Sequence, residues 1–329
     1  MASPFDAADF PLESADSLVL PELSFPAPGR LHPRWEEIEA GTVDWLLGYG
    51  LVSGPTEELK VRNSLFGKAL AWMYPVGPVD RILAISHLSI FWFTFDDKIV
   101  ESTAPGAAQQ LAERALHMDQ IARSPQRTPP GEDPFHRAYH DIWARFHRWA
   151  SPRQLLRMQH GMLQAVIACI TDSLRTGIPT PPPLALYRPL RFGTSLLSPF
   201  VDYNEIVHGI EIPLDTYLQP DVQDLITTGV NLFAIMNDIY SCPRDTQKRQ
   251  VMNLPAVLAH EHRCSLQEGL DMAAELFRLN TDRFLQLSEE LGKRTAEHLP
   301  ELIEGMQVFT AGILNWYLQD TARYRPANP

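Results

Sequence analysis

Apolar residues recur at helical spacing along most of this chain, and no segment alternates polar and apolar residues cleanly over five or more positions. The pattern therefore predicts helices and no β-strand. The predicted helices include residues 80–96, 135–149, 152–176, 221–242, 265–293 and 297–323. We expect an all-α fold in which these helices bury their apolar faces against one another.

Composition and charge exclude several classes of function. The formal net charge of the 329 residues is −12, which argues against binding nucleic acid or an anionic membrane surface. The three cysteines lack metal or redox spacing and fit a reducing compartment. No signal peptide is visible, and the longest apolar run, residues 82–95, is shorter than the roughly 20 residues that span a bilayer. We expect a cytoplasmic protein without a membrane span.

Proline-rich segments indicate how the chain is divided. Residues 1–32 contain many prolines, and we interpret them as an extended arm. Residues 124–134 are also proline-rich, but we interpret them as a surface loop, because the helices on either side would each lack a core of their own. The prediction is a single domain, residues 33–329, preceded by an arm, residues 1–32.

An acidic cluster follows the most aromatic of the predicted helices. Asp96 and Asp97 come directly after a run of aromatic residues, and Glu101 lies four positions after Asp97. Adjacent carboxylates at the end of an apolar helix repel each other, so they need a cation or a raised pKa there. An ordinary surface helix end can carry the same residues, and the cluster alone leaves both interpretations open.

A second polar cluster continues another apolar helix. Asn237, Ser241 and Asp245 are spaced i, i+4, i+8, which places them within roughly 80° of arc on one helix face. Amide, hydroxyl and carboxylate oxygens are hard ligands that suit Mg²⁺ rather than zinc. A solvated helix face can show these residues by chance, but two such clusters, each ending an apolar helix, favour a metal site.

With both clusters in view, the chain resembles the class I terpene synthases of the compact, single-domain bacterial and fungal type. The aspartate-rich motif of that family, DDxxD or DDxxxE, is matched by residues 96–101, and its (N/D)DxxSxxxE motif by residues 237–245. The family has a diphosphate-sensing arginine 46 positions before the Asn, which is Arg191 here. Its C-terminal Arg-Tyr pair is similar to Arg323 and Tyr324.

The resemblance covers residues 33–324 and implies a single-domain antiparallel helical bundle around a central apolar cavity. It also implies an enzyme that uses Mg²⁺ to ionise an allylic prenyl diphosphate, by default farnesyl diphosphate, and cyclises the carbocation to a sesquiterpene. The prenyl diphosphate is the expected partner, and a homodimer is left open.

The metal and diphosphate ligands are carried over from the family motifs, whereas the aromatic pocket residues are chosen because they lie one or two helical turns before those ligands. The metal ligands, for an expected three Mg²⁺ ions, are Asp96, Asp97, Glu101, Asn237, Ser241 and Asp245. The diphosphate ligands are Arg191, Arg244, Arg323 and Tyr324. The pocket residues that stabilise the cation are Trp92, Phe93, Phe233 and Trp316, with Thr194 and Ser195 at a break in the helix of the sensor arginine. The residues assigned to catalysis are Asp96, Arg191 and Asn237.

Several positions depart from the family pattern. Val100 stands where DDxxD has its last Asp, so Glu101 must substitute from the next position. Asp245 replaces the usual Glu, and Ser195 stands where typical members have Gly. Pro243 removes a backbone donor within the second motif, and we expect the helix to kink there.

Two alternative functions remain. An isoprenyl diphosphate synthase shares the helical fold, but it would need a second aspartate-rich motif where this chain has Asn, Ser and Asp. A non-catalytic helical binding protein could retain the fold without the activity. Product formation with Mg²⁺, compared with EDTA, would separate that protein from an enzyme.

Overall fold

The computed structural model describes residues 17–197 and 199–324, and within these ranges the regular structure is helical, with no β-strand. The helices are α1 (Trp35–Gly48), α2 (Pro55–Ser64), α3 (Phe66–Met73), α4 (Val79–Phe95), α5 (Ala107–Arg123), α6 (Pro134–Trp149), α7 (Pro152–Arg175), α8 (Leu184–Thr194), α9 (Phe200–His208), α10 (Leu214–Tyr217), α11 (Pro220–Gln247), α12 (Leu254–His262), α13 (Leu266–Gly292) and α14 (Leu299–Asn315). The all-α prediction is confirmed. None of these helices is both long enough and apolar enough to cross a membrane.

Local sequence signals set several helix starts. The side chains of Ser151 and Ser265 each accept a hydrogen bond from the backbone N–H three residues later. The side chains of Gln154 and Glu268 accept in turn from the backbone N–H of the two serines, which completes two capping boxes. Asp133 caps α6 in a similar way, with a proline at the first helical position. These caps satisfy backbone donors that would otherwise have no partner at the helix ends.

The centre of the fold is built around α4 and α11. Both are buried around much of their circumference, as expected for helices that are apolar on several sides. Helix α14 packs closely on α3: a Cβ at Gly312 would lie 2.4 Å from the Trp72 carbonyl oxygen. The absence of a side chain at Gly312 therefore sets the separation of α3 and α14, both of which bound the candidate site.

Helix α11 is longer than the sequence predicted. We expected it to end at about residue 242, but it continues to Gln247 with Pro243 in its interior, and the kink expected at Pro243 stays a prediction. The predicted end is wrong because tertiary contacts outweigh the proline. Residues on both sides of Pro243 are buried, and the Asn253 side chain donates a hydrogen bond of 2.9 Å to the Asp238 carbonyl within the preceding turns.

Two of the helices that end beside the candidate site, α4 and α14, close with a π-helical turn. Residues Asp96–Val100 continue α4 in this way, and residues Trp316–Asp320 continue α14. The α-helix predicted over residues 297–323 is therefore shorter than expected. π-Turns often occur at functional sites because they change the direction of side chains within a helix.

The described part of the N-terminal arm packs on the helical bundle. Phe25 is buried with its ring 6.1 Å from that of Phe284, and the backbone of Val19 exchanges hydrogen bonds of 2.9 and 3.1 Å with the Gln267 side chain. Residues 1–16 of the predicted arm and residues 325–329 of the predicted domain lie outside the described residues. The division at residue 32 stays a prediction.

Candidate active site

Two adjoining cavities lie where α4, α8 and α11 come together. The first is largely apolar and is also bounded by α3 and α14, while the second is polar and lies beside the acidic clusters. The residues that line both are Asp96, Val100, Arg191, Thr194 and Asn237. The two sequence motifs therefore open onto one continuous hollow. A metal ion held by both motifs would lie at the mouth of the apolar cavity.

Aromatic rings dominate the wall of the apolar cavity. The rings predicted from the sequence line it, and two further phenylalanines join them: Trp92, Phe93, Phe233, Trp316, Phe66 and Phe309. A desolvated cation gains up to about 2 kcal/mol from contact with one aromatic face. This wall suits an apolar substrate that becomes positively charged.

The helix break predicted at Thr194 and Ser195 is present. Helix α8 ends at Thr194, Ser195 follows it, and Leu196 takes a positive φ of 61°. Both Thr194 and Ser195 line the apolar cavity. A serine at the second position is therefore compatible with the break, although typical family members have glycine there.

Asp96 is the acidic residue that faces both cavities. Burial, together with the neighbouring carboxylates of Glu101 and Asp97, raises its pKa to about 8. A carboxylate in this position is costly without a nearby cation. The electrostatics at Asp96 thus agree with the expectation that this cluster holds a metal ion.

Asp97 points away from the shared hollow and is not among the residues that line either cavity. Its carboxylate accepts hydrogen bonds of 2.9 and 3.0 Å from Arg323, and the Lys248 ammonium lies 3.7 Å away. Burial acts to raise the pKa of Asp97, but the charges of Arg323, Arg244 and Lys248 outweigh burial and hold the pKa below its ordinary value. Asp97 is placed to hold Arg323 rather than to face Asn237.

The second motif keeps its ligand types on one face in spite of Pro243. The Ser241 hydroxyl donates a hydrogen bond of 2.6 Å to the Asp245 carboxylate, and Asn253 donates another of 3.1 Å to the same oxygen. The shorter Asp at this position therefore still meets Ser241. Ser241, Asp245 and Glu101 line the polar cavity, together with Arg244.

The spacing of 46 residues between Arg191 and Asn237 corresponds to a direct contact. Arg191 donates a hydrogen bond of 2.6 Å to the Asn237 side-chain oxygen and forms an ion pair of 2.8 Å with Asp238. The Asn237 amide nitrogen donates in turn to the hydroxyls of Tyr317, at 2.7 Å, and Tyr324, at 3.3 Å. Arg191, Asn237 of the second motif and Tyr324 therefore belong to one hydrogen-bonded unit.

Comparison with known proteins identifies the family. A model described as terpene synthase family 2, C-terminal metal binding, matches residues 87–283. This chain belongs to terpene synthase family 2. The resemblance drawn from the motifs is confirmed, and so is the prediction of an enzyme, since the named relatives of this family are synthases of the lyase class.

Similar terpene synthases cover nearly the whole chain. The 10-epi-cubebol synthase of Sorangium cellulosum (strain So ce56) is 26% identical over 89% of this chain and 94% of its own length. A germacradien-6-ol synthase of Streptomyces pratensis is 23% identical over 96% of this chain and 89% of its own length. Among solved structures, SVS_A2, a protein from ancestral sequence reconstruction, has a TM-score of 0.83 at 25% identity, covering 92% of this chain and 90% of its own.

The family description implies that the chain binds a metal ion, so the donor atoms at the site should suit one. Within residues 17–197 and 199–324, no three His, Cys, Asp or Glu side chains converge closely enough to hold an ion by themselves. The candidate donors include an amide and a hydroxyl, and Mg²⁺ takes only one or two carboxylates and keeps several waters. The hard oxygen donors around the hollow therefore fit Mg²⁺.

Sequence reasoning missed several residues that support this site. Asp238 accepts hydrogen bonds from the Tyr187 hydroxyl and, at 2.8 Å, from the Leu254 backbone N–H, in addition to its ion pair with Arg191. Burial raises the pKa of Asp238, while the Arg191 charge lowers it. In the sequence, Tyr187 lies four positions before Arg191, one helical turn away, and this spacing could have indicated that it lies close to the same site. Lys248, which forms an ion pair of 2.8 Å with Glu101, was also missed.

Proposed function

We propose that this terpene synthase ionises farnesyl diphosphate with the help of bound Mg²⁺, cyclises the resulting carbocation to a sesquiterpene and releases diphosphate. The observation that carries the proposal is that Asp96 and Asn237, from different motifs, both line one cavity whose wall is aromatic. An anionic leaving group and an apolar tail would occupy the two ends of this hollow.

The names of the relatives support the substrate and product class. A corvol ether synthase of Kitasatospora setae is described as cyclising (2E,6E)-farnesyl diphosphate, and it is 25% identical over 94% of this chain. Two proteins of Metarhizium brunneum, each 24% identical to this chain, are named sesquiterpene synthases. A chain-elongating isoprenyl diphosphate synthase is not favoured, because the second motif lacks the aspartates that such an enzyme needs.

When bound, Mg²⁺ would supply positive charge that stabilises the departing diphosphate oxygens. The proposed ligands of three ions are Asp96, Asp97, Glu101, Asn237, Ser241 and Asp245. Because Asp97 is engaged by Arg323, its contribution would be indirect unless that ion pair opens. Asp96, Asn237 and Arg191 take the catalytic roles, since each lines both cavities.

The basic side chains orient the diphosphate in this proposal. Guanidinium groups bind phosphate oxygens in a bidentate manner. Arg191 and Arg244 line the polar cavity, and Arg323 lies over the Phe93 ring at 5.3 Å. Tyr324 supports them through its hydrogen bond to Asn237.

The aromatic wall then acts on the carbocation. Its rings exclude water from the reacting carbons and offer electron-rich faces along the path of cyclisation. The proposed cation-stabilising residues are Trp92, Phe93, Phe233 and Trp316, with Thr194 and Ser195 at the helix break. A cytoplasmic location and a homodimer remain part of the proposal, and sedimentation of the purified protein tests the dimer.

Incubation with defined prenyl diphosphates tests the function. Purified protein is given geranyl, farnesyl or geranylgeranyl diphosphate with Mg²⁺ or with EDTA, and both released diphosphate and volatile products are measured. We expect farnesyl diphosphate with Mg²⁺ to give cyclic fifteen-carbon products, and EDTA to abolish them. Equal turnover in EDTA, or no diphosphate released from any of the substrates, would contradict the proposal.

A further inference from the structure

The inner end of the apolar cavity carries a buried phenol hydroxyl without a hydrogen-bond partner. Tyr74 directly follows α3 and lines the cavity. The residue is 1% exposed, and its hydroxyl oxygen finds no partner among the described residues. An unpaired buried hydroxyl costs about 1–3 kcal/mol. Such a group in a native structure calls for an explanation, and an ordered water is a common one.

Tyr74 lies far from the acidic clusters. Phe66, at the start of α3, has its ring 4.6 Å from that of Phe93, close to Asp96. Tyr74 comes eight positions later, and its ring lies 6.0 Å from that of Phe309. Eight helical residues rise about 12 Å. The hydroxyl therefore belongs to the floor of the cavity, remote from the place where diphosphate would leave.

A second phenol shares this floor. Tyr203, on α9, also lines the cavity. Burial raises the pKa of Tyr203, and the nearby phenols of Tyr74 and Tyr139 raise it further. Burial likewise raises the pKa of Tyr74. Both hydroxyls therefore stay protonated, and they act as neutral hydrogen-bonding groups rather than as bases.

The two phenols provide what a bound water requires. A buried water needs at least two polar partners and about 15 Å³ of space, and the cavity volume is about 130 Å³. Phenol oxygens can accept both hydrogens of a water, which leaves a lone pair directed toward the cavity. The indole nitrogen of Trp92 also lacks a partner in residues 17–197 and 199–324, but an N–H group only donates and cannot hold a water in this orientation.

We propose that Tyr74, together with Tyr203, holds a water at the cavity floor that captures the cyclised carbocation, so that the main product is a sesquiterpene alcohol. This inference rests on the proposed function. In the capture step, a lone pair of the water oxygen forms the C–O bond to the cationic carbon. The oxonium ion then passes its proton to solvent water as the product leaves the cavity. Tyr74 thus determines product class, because a cation without this water ends by losing a proton to give a hydrocarbon.

Reaction in H₂¹⁸O tests the inference. Wild-type protein converts farnesyl diphosphate with Mg²⁺, and released diphosphate and product mass spectra are measured in the same reaction. We expect one ¹⁸O atom in the main product. Tyr74→Phe keeps the ring and removes the hydroxyl, so the ratio of alcohol to hydrocarbon should fall about tenfold, while diphosphate release stays within about threefold. Tyr203→Phe should shift the ratio in the same direction.

A matched variant controls for the loss of a buried hydroxyl. The Tyr240 hydroxyl is also buried and has no hydrogen-bond partner within the described part of the chain. Tyr240 is not among the residues that line the cavity, so Tyr240→Phe should leave the product ratio unchanged. If Tyr74 served packing alone, Tyr74→Phe would raise the melting temperature and leave the products unchanged, which would overturn the inference.

A wild-type product without oxygen would overturn the inference as well. In both of these cases, continued diphosphate release would leave the proposed function standing. A complete absence of diphosphate release would contradict the proposed function, and the inference would fall with it.

Discussion

Hydrogen bonds and an ion pair hold the Arg191 side chain in its position. Its guanidinium is buried between α8 and α11, where it contacts Asn237 and pairs with Asp238. Asp238 is in turn fixed by Tyr187 and by the Leu254 backbone. A buried charge that loses one partner of its pair is destabilised by about 2–5 kcal/mol. The geometry of the proposed diphosphate sensor therefore depends on Asp238 and its partners.

We predict that Asp238→Asn lowers turnover of farnesyl diphosphate by about 10²-fold, because Arg191 keeps its place but loses its counter-charge. Tyr187→Phe removes one neutral donor to Asp238, and we expect a loss of no more than about tenfold. Steady-state kinetics, with circular dichroism as a check on folding, measure both. Full activity in Asp238→Asn would show that Arg191 is positioned by other contacts.

At the scale of elements, His87 joins three helices. On α4, its Nε2 lies 3.1 Å from the Gly41 carbonyl of α1, and its Nδ1 lies 2.8 Å from a guanidinium nitrogen of Arg145 on α6. The Arg145 group donates to Nδ1, so Nε2 carries the proton and donates to Gly41. Burial, together with the Arg145 charge, lowers the pKa of His87 to about 3. The imidazole is therefore neutral in the folded protein.

This depressed pKa predicts a loss of stability in acid. The unfolded chain takes up a proton at His87 below pH 6.5, whereas the folded protein does not until about pH 3. Unfolding is therefore increasingly favoured as the pH falls through this window, by about 2 kcal/mol at pH 5. His87→Gln should lose less stability than the wild type between pH 7 and pH 5 in denaturant titrations. The exposed His262→Gln serves as the control, and identical pH profiles for wild type and His87→Gln would refute the prediction.

The contact between α3 and α14 provides a second test at this scale. A methyl group at Gly312 would lie 2.4 Å from the Trp72 carbonyl oxygen, which belongs to the backbone and cannot rotate away. We predict that Gly312→Ala lowers the free energy of unfolding by about 1–3 kcal/mol. Gly48, at the end of α1, has no atom within 4 Å of the corresponding position, so Gly48→Ala should be neutral or stabilising by up to about 1 kcal/mol. Equal effects in thermal melting would contradict this account of the interface.

At the scale of the whole molecule, a chain with a net charge of −12 must bind a multiply charged anion. Its hollow achieves this by gathering positive groups around the two acidic clusters, with Arg191, Arg244 and Lys248 lining the polar cavity. Bound Mg²⁺ would add further positive charge at the same place. Because five acidic and five basic side chains line this cavity, bound Mg²⁺ would be what makes its local charge positive.

Features of the fold and site that depend on neighbouring residues can be predicted from the sequence, whereas features that depend on contacts between distant residues cannot. The spacing of Asn237, Ser241 and Asp245 places them on one face because that is a property of any helix, and helical periodicity alone predicted the fold class. The course of α11 through Pro243 could not be predicted in this way, since contacts with residues that follow α11 decide it. The orientation of Asp97 toward Arg323 depends likewise on a contact between distant parts of the chain.

The central claim is that two oxygen-rich helix ends share one cavity and act together on a diphosphate. Magnesium-dependent diphosphate release from farnesyl diphosphate, measured for the wild type, Asp96→Asn and the double variant Asn237→Ala with Ser241→Ala, tests this claim most directly. Asp80→Asn, an exposed position at the start of the same α4, is the matched control. We predict that the variants of either motif lose at least about 10²-fold in turnover with unchanged circular dichroism, while Asp80→Asn stays at the wild-type rate. Wild-type turnover in Asp96→Asn or in the double variant would contradict the account.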